Sequence, residues 1–531
     1  MTIAASLSQR ATDSPTHPAV TFLDQTLTYD ELNQKANQLA LGFTQLGIQK
    51  GHRVILMVRP SLEFTFITFA LFKIGAVCVL IDPGIGFWHL KKCIAHVQPD
   101  FFIGIPKSFL LRGLFPKSFR TLKRSICVGP KWFFHFPTII SLMKNKPKTE
   151  GPVILSAAKD PAAIIFTTGS TGPPKGVVYE QGMFEAQLEI LKKHFKVSEK
   201  DIDMPTFPLF ALFSVAFGTH CILPNMDPTR PAHVNPKMIC ENILNHKVTM
   251  MFGSPALWNR VTRYCLKFGI QLPSLQKILI AGAPVSENLL RRFDKILSPT
   301  AHVYTPYGAT EALPVSLIER KERHAGFGIE IGKPAFNTNV QILRITDQPL
   351  KKFTTADLMH TGSVGEIMVS GAHVTKTYFE DPINTALAKT IDTEGHLWHR
   401  MGDVGYFDAH ENLWYCGRKK HRVQTPSKTY FTIPVENIFN QHADVFRSAL
   451  VGVGHTPIII IEPKDKSILK ESPRLLRLKE ELQILARSSN LTQDISELLF
   501  YADFPVDIRH NAKINREKLA LWARKKLGNT L

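Results

Sequence analysis

The sequence predicts an α/β protein: a large N-terminal part of helix-covered, mostly parallel sheets, then a small β-rich region, then a small α+β module at the C-terminus. Three observations carry this. Short apolar, β-branched runs alternate with segments of helical period from residue 53 to residue 308, the pattern of parallel strands covered by helices. After about residue 330 the pattern changes to closely spaced short strands. Beyond "CGRKKHR" (416–422) come shorter strand and helix units that close on a basic helix, "NREKLALWARKKL".

Taken in order, residues 28–47 open with a threonine that can cap a helix, place Glu31 three residues on and stop at Gly47, a complete set of helix start and stop signals. Strands are expected at "RVILMV", "AVCVLID", "FFIGI", "AAIIF", "TMMFG", "KILIAG" and "HVYTPYG", with helices near 62–74 and after Gly182. The later strands are "NVQILRI", "GEIMVSG" and "LWYCG". "FTFITFALFKIGAVCVLID" is the most apolar stretch, but Lys73 and Gly75 interrupt it. It reads as a buried helix running into a strand rather than a membrane span.

Composition narrows the class. A chain of 531 residues, 44% hydrophobic and 21% charged, is globular and long enough for more than one domain. The seven cysteines are scattered and form no C-x-x-C pair, so reduced thiols in a cytoplasm are expected, with no disulfide framework and no zinc site. The N-terminus shows no secretory signal. The net charge of +19 is uneven: residues 101–149 hold ten Lys or Arg and no acid, with Phe and Trp between them. Such a stretch suits a membrane surface or an anionic amphiphile, and a solvated basic face over a core element explains it equally. No nucleic-acid recognition motif accompanies the charge.

"FTTGSTGPPKG" (166–176) leaves the strand "AAIIF". Gly169, Gly172 and Gly176 let backbone amides approach a ligand, Thr167, Thr168, Ser170 and Thr171 add hydroxyl donors, and Lys175 adds a point charge. That set suits a polyphosphate. It is not a Walker loop, because no glycine-lysine-hydroxyl ending stands at the required spacing. Downstream, "TPYGATEALPV" (305–315) offers Tyr307 for stacking on a flat ring and Glu311 as an oxygen ligand for Mg2+. "HRMGDVGYFD" (399–408) is read as a glycine-flanked turn that presents Asp403 to the hydroxyls of a ribose. Arg418 follows in "CGRKKHR", and Lys513 stands in "FPVDIRHNAKINR" before the last helix. Singly each has a plain alternative: a helix N-terminal carboxylate, a turn residue, a solvated cation.

Together and in this order the loop, "AGAP", "YGATE", "GEI", "GDVG", "GR" and the terminal lysine resemble the adenylate-forming superfamily of acyl-CoA synthetases, luciferases and nonribosomal-peptide adenylation domains, over essentially the whole chain. The resemblance implies ATP and Mg2+ as cofactors. Thr167, Thr168, Gly169, Ser170, Thr171, Gly172 and Lys175 would cradle the phosphates. Gly282, Ala283, Pro284 and Tyr307 would line the adenine pocket, Gly308 would also bind the cofactor, Thr310 and Glu311 would serve phosphate and magnesium, and Asp403 and Arg418 would hold the ribose. Lys513 would bridge the acyl carboxylate and the adenylate phosphate. It further implies an adenylation domain over 1–417, a hinge at 418–420 around Lys420, and a mobile C-terminal lid over 421–531 carrying Lys513.

Within the superfamily, "VRPSLEF", "LIDPGIG", "PTFPLFALF", "MDPTRP", "FGSPALW" and "FPVDIRHNAKI" resemble the β-lactone synthetases of bacterial long-chain olefin biosynthesis. This branch implies adenylation of a long-chain 2-alkyl-3-hydroxy acid and capture of the adenylate by the acid's own 3-hydroxyl. It also implies neighbouring olefin-pathway enzymes as partners. "FPLFALFSVAF" and "ALW" (256–258) would shape the acyl site, with ordinary core as the alternative. His421, His510 and Arg509 are further candidates without an assigned role. The alternative function is a long-chain acyl-CoA ligase acting through the same adenylate, in which case the basic stretch would face CoA phosphates.

Overall fold

The computed structural model describes residues 2–130, 136–144, 157–167, 174–506 and 514–528. The α/β expectation holds, and the chain forms two compact units.

The first unit comprises 1–315, 335–338 and 371–385. One of its sheets has six strands in the order Arg124–Cys127, Phe101–Gly104, Arg53–Met57, Val77–Ile81, Pro161–Thr167 and Lys175–Glu180. All neighbours are parallel except the last pair, a hairpin. These strands are apolar on both faces because helices cover both sides of a parallel sheet. The second sheet has seven strands, ending in Met250–Gly253, Lys277–Ile280 and His302–Tyr304 side by side and parallel.

Local signals act as the sequence predicts. Thr28 caps the helix Tyr29–Leu46 in a reciprocal box with Glu31, at 3.2 and 2.9 Å. The helix Leu62–Lys73 is buried along nearly its whole length, and its one cation is satisfied there: Lys73 donates to Ser8 Oγ at 2.7 Å and Asn33 Oδ1 at 2.9 Å. A buried ammonium needs such partners, and no helix among the described residues is long and apolar enough to cross a membrane. All seven cysteines are buried free thiols.

The second unit comprises 316–334, 339–370 and 386–531. Its antiparallel sheet runs Ile329–Pro334, Leu413–Arg418, Leu397–Phe407, Gly365–Ser370, Asn339–Leu343. The C-terminal part has a three-stranded sheet, Val445–Val453, Thr456–Pro463 and Glu497–Phe500, with the helices Thr432–Phe439, Ser472–Arg487 and Arg516–Leu527.

Candidate active site

In the first unit the phosphate loop springs from the hairpin Pro161–Thr167 and Lys175–Glu180, whose register sets Thr167 opposite Lys175. The threonine and the lysine therefore bracket the loop. Thr168, Gly169, Ser170, Thr171 and Gly172 lie outside the described residues.

Lys175 does not stand alone. Its ammonium lies 4.9 Å from the centroid of the Tyr378 ring, within cation–π range. The hydroxyl of Tyr378 donates to Glu311 Oε1 at 2.7 Å. One tyrosine thus ties the phosphate-loop lysine to the expected magnesium ligand. It arrives by a non-local route: Phe379 N donates to the Gly176 carbonyl at 2.7 Å and Val178 N to the Thr377 carbonyl at 3.3 Å, adding 377–379 alongside the strand Lys175–Glu180. Sequence reading missed Tyr378, because this pairing leaves no local pattern.

Glu311 falls between the strands Tyr307–Ala309 and Ala312–Leu317, so the helix N-terminal alternative does not apply. Its backbone carbonyl accepts from Thr375 N at 2.9 Å and Thr375 Oγ1 at 3.1 Å. The hydroxyl of Tyr179 donates to the Thr310 carbonyl, and burial pushes that phenol up, keeping it a donor. Gly308 is required here: a Cβ on it would meet the Ala312 carbonyl oxygen at 2.6 Å. The loop of Gly282, Ala283 and Pro284 follows the strand Lys277–Ile280, and Tyr307 follows the neighbouring strand His302–Tyr304. Both loops leave carboxyl ends of adjacent parallel strands, where open α/β sheets bind ligands. Gly282 and Pro284 are exposed, while Ala283 and Tyr307 are half-buried.

The chain fits a magnesium ion held in the manner of nucleotide enzymes. Among the described residues no group of three or more His, Cys, Asp or Glu could hold a metal. A positioned carboxylate at Glu311 suits a small hard cation that takes one or two protein oxygens and completes its shell with phosphates and water.

In the second unit one local expectation is corrected. Asp403 does not sit in a turn but inside the strand Leu397–Phe407. Gly402, with φ +65°, and a register shift between Val404 and Gly405 absorb the irregularity while the ladder continues, as a bulge does. Asp403 faces Arg418 across the ladder, and Arg418 Nη1 lies 3.1 Å from Asp403 Oδ1. The two expected ribose residues are thus brought together.

The segment after Arg418 is anchored by ions. Lys419 donates to Glu366 Oε2 at 3.0 Å and the Thr346 carbonyl at 2.8 Å, and Arg400 reaches the same Glu366 oxygen at 2.7 Å. Lys420 and His421 both approach Glu517 on the last helix, at 3.4 Å. Burial, followed by the charge of Arg516, pushes His421 down to about 4. Arg516 holds Glu436 with contacts of 2.7 Å to both oxygens. Lys513, Arg509 and His510 lie outside the described residues.

The acyl-site segments divide. Ala211–Phe217 and Ala256–Trp258 are buried, which is the core reading. Phe207, Leu209 and Phe210 remain half-buried, Phe210 packing at 4.6 Å on Phe252.

The profile of AMP-binding enzymes matches residues 7–379. The chain belongs to the AMP-binding enzyme family. As a member it is an adenylate-forming ligase. It is 41% identical to the olefin beta-lactone synthetase of Stenotrophomonas maltophilia (strain K279a), over 94% of this chain and 92% of that protein. It is 39% identical to the olefin beta-lactone synthetase of Xanthomonas campestris pv. campestris, over 98% and 97%. The fold is similar to that of the O-succinylbenzoate coenzyme A synthetase of Bacillus subtilis in complex with ATP and magnesium ion, with a TM-score of 0.75 over 97% of this chain and 98% of that one at 20% identity.

Proposed function

We propose that the chain adenylates a long-chain 2-alkyl-3-hydroxy acid with Mg-ATP, and that the acid's 3-hydroxyl then attacks the activated carbonyl. Adenylation releases pyrophosphate; a C–O bond then closes the four-membered ring, the bond from the acyl carbon to the phosphate oxygen breaks, and AMP leaves with that electron pair while the hydroxyl proton passes to solvent. The near-full-length identity to two olefin beta-lactone synthetases carries this reading. An intramolecular nucleophile needs no second substrate, because holding it beside the carbonyl replaces a bimolecular step.

In this reading Thr167 and Lys175 take the ATP phosphates with the loop between them, and Lys175 offsets their repulsion of the incoming carboxylate. Glu311 would hold the magnesium ion, which supplies charge neutralisation at the phosphates. Tyr307 and the Gly282–Pro284 loop take the adenine, Asp403 and Arg418 the ribose, and Lys513 the acyl carboxylate. Residues 421–531 move as a lid about 418–420, delivering and withdrawing Lys513. Phe207, Leu209 and Phe210 face the alkyl chains. A cytoplasmic location and neighbouring olefin-pathway enzymes as partners complete the proposal.

The test gives the protein Mg-ATP and such an acid, with and without CoA, and follows AMP and organic products by mass spectrometry. A β-lactone formed without CoA is expected. An acyl-CoA formed only with CoA, and no lactone in either tube, would replace this reading with the acyl-CoA ligase. Lys513→Ala should lower adenylate formation by roughly a hundredfold or more while ATP binding survives. Unchanged pyrophosphate release would remove the lysine from the mechanism.

A further inference from the structure

The basic stretch divides on folding. Its phenylalanines at 102, 109 and 119 are core, meeting edge to face at 5.2 and 5.5 Å. The apolar surface left in water lies partly outside the stretch. Phe87 (47% exposed) and Trp88 (70%) begin the helix Phe87–Val97, and Leu110 (54%) and Leu114 (62%) stand one turn apart on the helix Leu110–Leu114. Phe115, the residue after Leu114, links the two segments: the Phe87 ring is 4.6 Å from Phe115, and Lys91 Nζ lies 5.5 Å from the Trp88 ring and 5.4 Å from that of Phe115.

The charge of this segment is mostly of one sign. Its described residues from 82 to 144 include nine Lys or Arg and two acids; Asp82 accepts from the Gly84 amide at 2.8 Å, and the other acid is Asp100. That acid is engaged elsewhere: it accepts from Arg53 N at 2.9 Å and lies 3.2 Å from Lys123. Burial raises its carboxyl, but these donors outweigh burial and hold it below the usual range. Lys92, Lys107 and Lys117 are exposed. Free anions such as CoA phosphates would account for the cations and not for a tryptophan and two leucines beside them. A negatively charged bilayer accounts for both, since tryptophan favours the headgroup boundary and each nearby lysine adds attraction.

We propose that this face docks the enzyme on an anionic lipid bilayer, with Phe87, Trp88, Leu110 and Leu114 entering the headgroup–acyl boundary and the lysines facing lipid phosphates. A long-chain hydroxy acid dissolves in the same bilayer, so docking sets the enzyme beside its substrate. That consequence rests on the function proposed above, whereas the surface itself does not.

The experiment is flotation of the full chain with phosphatidylglycerol-containing vesicles and with pure phosphatidylcholine vesicles, in the absence of turnover. Binding to the anionic vesicles, weakened by salt, is expected, and the double variant Trp88→Glu/Leu114→Glu should reduce it roughly tenfold or more. The control Ile484→Glu changes an equally exposed apolar residue (67%) on the helix Ser472–Arg487 and should bind as the parent does. No binding to anionic vesicles, equal binding to both lipids, or an unchanged double variant would each overturn the proposal. Lactone assays in detergent are read separately: their failure beside intact vesicle binding would strike the function and leave the surface standing.

Discussion

Two pairs of buried sites, one in each unit, keep ionisable side chains out of water in opposite ways. In the first, burial holds groups neutral: His373 is pushed down to about 4 and Asp203 up to about 7, in each case mainly by desolvation. In the second they meet in ionic contacts: Glu366 with Arg400 and Lys419, and Glu436 with Arg516. A neutral buried group adjusts by gaining or losing a proton. A buried ion pair fails when one partner goes, because the survivor is left charged and dry. The His373 and Asp203 sites should therefore respond to pH, and the Glu366 and Glu436 sites to deletion.

The largest effect is expected at Glu366, whose carboxylate serves both Arg400 and Lys419 and is almost fully buried. Glu366→Ala strands two cations and should cost about 3–5 kcal/mol of stability, read by urea unfolding. A loss below about 1 kcal/mol would show that water reaches the pair, at the value of a surface bridge, and would erase the contrast between the units. Glu311→Ala comes next and acts on activity: adenylate formation should fall roughly a hundredfold, with unfolding little changed. A full-rate variant would move the magnesium ligand elsewhere.

Tyr378 sharpens the comparison, for it links cation and anion in the first unit without a salt bridge. Tyr378→Phe keeps the ring against Lys175 and removes the hydrogen bond to Glu311. A hydrogen bond to a charged group is worth about 1.5–3 kcal/mol, so the KM for Mg-ATP should rise roughly tenfold with kcat nearly kept. A fall in kcat with an unchanged KM would assign the tyrosine to the chemical step instead of to positioning.

Most of the fold was legible because its signals are local. The Thr28–Glu31 cap, the apolar runs of the parallel strands and the loop glycines each act within a few residues. Lys175 and Glu311 were legible as motif positions for the same reason. Tyr378 was not, since its place follows from how residues 377–379 align on Gly176 and Val178, a pairing across some two hundred positions. The glycines beside Asp403 predict a turn locally, and only the neighbouring strands show that the ladder continues through it.

The smallest effect tests the neutral burial in the first unit directly, through its sign. His373 has a folded pKa below its ordinary value of 6.5, so the unfolded chain binds the extra proton between pH 6.5 and about 4. Its contribution is complete above pH 6.5 and is lost as pH falls through that window. Asp203, raised from 3.8 to about 7, works the other way: its contribution is complete below pH 3.8 and lost as pH rises towards 7. In the parent chain the two slopes, each at most about 1.4 kcal/mol per pH unit, oppose one another. His373→Leu should therefore tilt the stability profile towards lower stability with rising pH, relative to the parent, and Asp203→Asn should tilt it the opposite way. Ser214 Oγ, 2.5 Å from Asp203 Oδ2, can still bond an asparagine, so the second variant isolates the charge. Parallel profiles for all three proteins would mean that water enters both sites and that the first unit does not hold these groups neutral by burial.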